Sequence, residues 1–171
     1  MLFSGFMSIY FIYFLNLLIV ALPLAFFEIV IEKKNGWGSG WPKDKWYAKP
    51  FLPDNSVTKL LVKILKVESP LNYHFLVFGV ILTVVFVLEY FRWTDNILLL
   101  LASFIGVTVF EDFLWFLLNW HFDSRKQLLK GPNGSIWWHK SWIKISSNYY
   151  LPTSYLFAMP LSLILLLLAS S

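Results

Sequence analysis

Apolar residues run almost without interruption over four stretches of this chain, about 6–31, 73–92, 96–119 and 150–169. A bilayer's hydrocarbon core is about 30 Å thick, and a helix crosses it in about 20 residues. Each run is therefore long enough to predict a spanning helix. The first run has no basic residue before Lys33. It lacks the basic flank of a cleavable signal and reads as a retained helix. Pro160, inside the fourth run, predicts a bend there, because proline removes a backbone donor and crowds the preceding turn.

The polar intervals carry their own patterns. In Asn55 to Glu68, NSVTKLLVKILKVE, the residues Val57, Leu60, Leu61, Ile64 and Leu65 share one helical face, and Lys59, Lys63 and Lys66 avoid it. Asn55 or Ser56 can cap the start. This predicts a basic amphipathic helix lying in the membrane interface. Further on, GPNG at Gly131–Gly134 is a turn signal. The following IWWHKSWIK places Trp137, Trp138 and Trp142 around His139 and predicts a second interfacial segment covering one mouth of the bundle. The expected fold is all-α: one domain, 1–171, of four membrane helices, with loops at 32–72 and 120–149.

Composition agrees with that pattern. The chain is 58% hydrophobic, 20% aromatic and only 14% charged. It contains no cysteine, which excludes disulfides, thiolate metal sites and thiol nucleophiles. The net charge is +4. Because the lysines cluster beside apolar runs, the expected partners are the bilayer and its anionic headgroups rather than nucleic acid. Eight of the 14 Lys and Arg residues fall in the first loop and five in the third, and Arg92 alone is in the short second loop. The positive-inside rule then puts loops one and three in the cytoplasm and both termini outside. A multi-pass protein of a cell (inner) membrane is the expectation.

Against this background the acids stand out. Glu111 and Asp112 are adjacent within the third run, and Glu111 is within about 5 Å of mid-span at 1.5 Å per residue. A charge at that depth costs roughly 2.5–3.5 kcal/mol on insertion scales. Each acid therefore calls for a partner, a proton, a cation or a wet pocket. Thr108, Asp112, Trp115, Asn119 and Asp123 form one stripe at helical spacing, flanked by Glu111. Glu28 and Glu32 close the first run, and His74 opens the second. Glu89 is expected to pair with Arg92, three residues on.

These positions nominate Glu111, Asp112 and His139 as catalytic candidates, and Glu28, Trp115, Asn119 and Trp138 as ligand-binding ones. Glu111, Asp112 and His121 are a candidate set for a divalent metal. His121 follows Asp112 by nine residues, half a turn away on an unbroken helix, so that set requires the helix to end near Asn119. Neither HExxH nor the ExxH pair of di-iron bundles occurs. NGWGSGWP at Asn35–Pro42 is neither a nucleophile elbow nor a phosphate loop, and reads as a turn anchored by Trp37 and Trp41. Asn133-Gly134-Ser135 matches a glycosylation sequon, which the turn explains on a cytoplasmic loop. The leading expectation is a cytoplasm-facing acidic and histidine pocket that binds a lipid-like ligand or a metal ion, with chemistry on it left open. The alternatives are a proton- or cation-coupled transporter subunit, with homo-oligomers in view, and an accessory subunit of a larger complex.

Overall fold

The computed structural model describes residues 8–34, 36–38, 40–65, 70–92, 94–121, 123, 128, 130–134, 136, 138–147 and 149–171. Several sequence expectations fall outside these residues: positions 6 and 7, Asn35 and Ser39 of the glycine-rich turn, 66–68 of the basic helix, Ser135 and Trp137. So do the side chains of Leu61 and Leu65.

Three helical stretches are long and apolar enough to cross a membrane, Ile9–Gly38, Asn72–Arg92 and Ile97–Leu118, which fits a membrane protein. The first is built from α1 (Ile9–Asn16), a π-helical stretch (Leu17–Ala21) and α2 (Leu22–Glu32). Helix α3 (Ser56–Leu65) is the predicted basic one, and the Asn55 side chain caps it by accepting from Thr58 N at 3.0 Å. The second membrane-length stretch runs through α4 (Asn72–His74), a π-helical stretch (Phe75–Ile81) and α5 (Leu82–Arg92). The third is α6 (Ile97–Leu118), capped by the Asn96 side chain.

The C-terminal run differs from expectation. Its helix α7 (Thr153–Ala169) has 17 residues. At 1.5 Å per residue that is about 25 Å, short of a core of about 30 Å. Residues expected in its first turn instead form strand β2 (Tyr149–Pro152), paired antiparallel with β1 (Trp142–Ser146). Tyrosines favour a pleated strand, and Pro152 ends it without needing a donor. Helix α7 then continues through Pro160.

Helix α6 is the centre of the bundle and touches α1, α2, α5 and α7. Small residues make this possible. Ala102, Ser103 and Gly106 are buried on it, and a Cβ on Gly106 would stand 2.7 Å from the Tyr13 hydroxyl. That hydroxyl bonds Ser162 Oγ at 2.8 Å, and Ser162 donates to the Ala102 carbonyl at 2.7 Å. Asn96 Nδ2 donates to Ala169 O at 2.8 Å, and Tyr10 to Ser170 Oγ at 3.0 Å. The start of α1, the α5–α6 turn and the end of α7 therefore gather at one end of the bundle. Loops one and three leave from the other. Outward faces remain apolar: Phe14, Leu18, Val84, Leu88, Phe157 and Ile164 are all exposed.

Candidate functional site

At the end where loops one and three leave, a cavity of about 260 Å³ opens between the helices. Helix α2 supplies Glu28 and Glu32, one turn apart on the same face. Helix α6 supplies Thr108, Glu111, Asp112 and Trp115, α4 supplies His74, and α7 supplies Ser154 and Tyr155. Trp37 enters from loop one, and Trp138 and His139 from loop three. No Lys or Arg among the described residues lines it.

Local backbone chemistry positions each part. After α2 the chain reverses through Lys33 and Trp37, both at positive φ (56° and 57°), a conformation that side-chain-bearing residues rarely adopt. Asn119 Nδ2 holds the turn by donating to Lys33 O at 2.7 Å, and Glu32 Oε2 accepts from Trp37 N at 3.2 Å. Gly36 lies directly beneath the Trp138 ring, where any Cβ would collide with it. The two loops are thereby interlocked over the cavity.

His74 is a fixed wall. Its Nδ1 accepts from Leu71 N at 3.1 Å, so a neutral ring carries its hydrogen on Nε2, which lies 3.8 Å from Glu32 Oε1. Trp37 stacks on the imidazole at 4.2 Å between centroids. Across the cavity, Asp112 Oδ2 accepts from the Tyr155 hydroxyl and lies 3.2 Å from His139 Nε2. That imidazole contact is at ion-pair distance but off the line of a hydrogen bond, and His139 Nδ1 has no partner. A carboxylate steadied by a tyrosine beside a histidine with an open nitrogen can hold or move a proton.

Glu28 and Glu111 are deeper. Glu111 is 1% exposed and Glu28 6%. Their carboxyl groups interact with each other and stand near Asp112. Glu28 Oε1, Glu32 Oε1 and Glu111 Oε1 are all buried without a hydrogen-bond partner. Two contacting carboxylates repel by roughly 4 kcal/mol even at an effective dielectric constant of about 20. The cluster therefore requires a proton or a cation among its members.

The structure brings Glu28, Glu111, Asp112, Trp115, Trp138 and His139 to one place and leaves two expected residues out. Asn119 caps α6, accepting from His121 N at 2.9 Å through Oδ1, and does not line the cavity. The set Glu111, Asp112 and His121 is not assembled. Helix α6 does end at Leu118, but the chain then turns outward and His121 is exposed against Trp120. Among the described residues, no three His, Asp or Glu side chains come together as a metal's ligands. The i, i+4 spacing of Glu28 and Glu32 was the available signal for Glu32. Tyr155 carried none, because only the packing of α7 on α6 brings it to Asp112.

Glu89 is also placed differently from expectation. It is buried and accepts from Asn16 Nδ2 at 2.9 and 3.1 Å, while the same Nδ2 lies 3.1 Å from Ser103 Oγ. It forms no ion pair with Arg92.

Comparison of the chain with protein-family models, curated proteins and solved structures finds no match to any of them.

Proposed function

We propose that this chain is an integral membrane protein of four membrane helices that binds the polar head of an amphipathic, lipid-like molecule in its acidic cavity. The observation that carries the reading is the convergence of Glu28, Glu32, Glu111 and Asp112 on one cavity walled by Trp37, Trp115, Trp138 and Phe78. Apolar walls with a few convergent polar groups are the general form of a small-molecule site. Drug-sized ligands fill about 300–1,000 Å³. A cavity of about 260 Å³ suits a headgroup with its tail left among the helices.

Helix α7 would complete the four spans despite its length, since a short hydrophobic stretch is accommodated by local thinning of the bilayer. The lysine-rich loops would face the cytoplasm. Helix α3 would lie on the membrane surface: Val57, Leu60 and Ile64 are exposed beside Lys59 and Lys63. Each lysine near anionic lipid contributes about 1 kcal/mol.

Native mass spectrometry of the full chain purified from its own membranes tests the reading. A small amphiphile should travel with the wild-type protein and be lost from the double variant Glu28→Gln, Glu111→Gln. If the wild type carries no such molecule, or the variant keeps it, the reading fails. A stoichiometric metal in the same sample would favour an inorganic ligand instead.

A second reading, chemistry on the bound head, is favoured by the Asp112–His139 contact. His139 would act as general base, steadied by Asp112. His139→Gln should then retain the amphiphile but stop its turnover.

A further inference from the structure

We infer that the cavity selects a primary ammonium head, as carried by an alkylamine or an amino lipid; this rests on the headgroup-binding reading and names its substrate class.

Charge is the first argument. The cavity gathers four carboxyl groups and no Lys or Arg among the described residues. Its ligand should therefore bring positive charge, and an anionic or zwitterionic head with an outward phosphate would meet repulsion. Donor count is the second. Glu28 Oε1, Glu32 Oε1 and Glu111 Oε1 are buried with no donor at hydrogen-bond distance; Glu28 and Glu111 have each other's carboxyl groups as neighbours, and His74 Nε2 stands 3.8 Å from Glu32 Oε1. Buried polar atoms are almost always hydrogen-bonded, so orphaned ones mark a missing donor. A primary ammonium brings three N–H donors, like the lysine side chain. A quaternary ammonium brings none and would add no donor to these oxygens.

The walls are compatible with the same guest. Trp115 and Trp138 line the cavity beside the acids and give it an apolar wall for the first methylenes of an alkylammonium. A compact divalent ion fits less well, because the acids share the cavity but no three His, Asp or Glu side chains among the described residues stand close enough together to hold one metal ion.

The test uses the full chain in detergent, with tryptophan fluorescence and calorimetry as readouts. The probes are hexylamine at neutral pH, hexyltrimethylammonium, hexanol and Mn²⁺. Hexylamine should bind about tenfold or more tightly than hexyltrimethylammonium or hexanol. Glu111→Gln should erase that preference while the far-UV spectrum and elution volume stay unchanged. Equal or tighter binding of the trimethyl compound would overturn the donor argument. Equal binding of hexanol would overturn charge selection while leaving an amphiphile site in place. Tight binding of Mn²⁺ with weak binding of hexylamine would assign the acids to an inorganic cation. Failure of every hexyl compound to bind would remove the headgroup-binding reading as well.

Discussion

Glu89 and Glu111 are the same residue type, both buried among apolar helices at opposite ends of one bundle, and they are treated in opposite ways. Glu89 receives both contacts of the Asn16 amide, which also reaches Ser103. Nothing is left over, and the knot ties three helical stretches together. Glu111 is more deeply buried, yet no donor stands at hydrogen-bond distance from its Oε1 and its neighbours are other acids, Glu28 first. A satisfied buried acid fixes helix register, whereas an unsatisfied one beside a cavity is kept at the expense of stability. The contrast separates an acid satisfied by its neighbours from a candidate functional one within a single chain.

Stability measurements can break that contrast. Glu89→Ala strands the Asn16 amide in an apolar setting and should cost about 1–3 kcal/mol in a micellar unfolding titration. Glu111→Ala in the same assay should cost nothing or stabilise, because it removes an unpaired acid and its repulsion. A large loss at Glu111 with none at Glu89 would reverse the assignment of the two ends. Tyr155→Phe comes next in size. It removes the hydroxyl on Asp112 Oδ2 and should cost about 0.5–1.5 kcal/mol, while the Asp112–His139 contact, followed by histidine NMR shifts, changes more than the fold. The smallest effect is expected at Ser103→Ala, about 0.6 kcal/mol, the average for a polar contact between membrane helices. A larger value would mean that the Glu89 knot depends on the serine as much as on Asn16.

The sequence made much of the candidate site legible, because charge inside an apolar run is physically anomalous. Glu111, Asp112 and Glu28 were identifiable from placement alone. His139 and Trp138 followed from the Trp-rich segment after the GPNG turn. What escaped was set by packing and by helix ends. Tyr155 meets Asp112 only because α7 packs on α6. Asn119 fits the polar stripe yet lies one residue past the end of α6, where it works as a cap. His121 follows that break and leaves the bundle. His74 at a helix start reads first as an interfacial residue, and only its contacts with Leu71, Glu32 and Trp37 make it a cavity wall. The hairpin was hidden for another reason. Tyr150 and Leu151 continue an apolar run, and a short apolar stretch does not distinguish strand from helix.

The fit of Trp138 over Gly36 bears on how the protein is made. Synthesis proceeds from the N-terminus, and early segments settle before later ones exist. On the proposed membrane reading, Glu28, Glu32, Glu111 and Asp112 would enter the bilayer before the ring that seats on Gly36 and the hydroxyl of Tyr155 are in place. For that interval the nascent chain holds bare acids with no cover. A ribosome stalled after α6 would therefore present an intermediate that depends on a chaperone or an occupying cation until the last helix arrives.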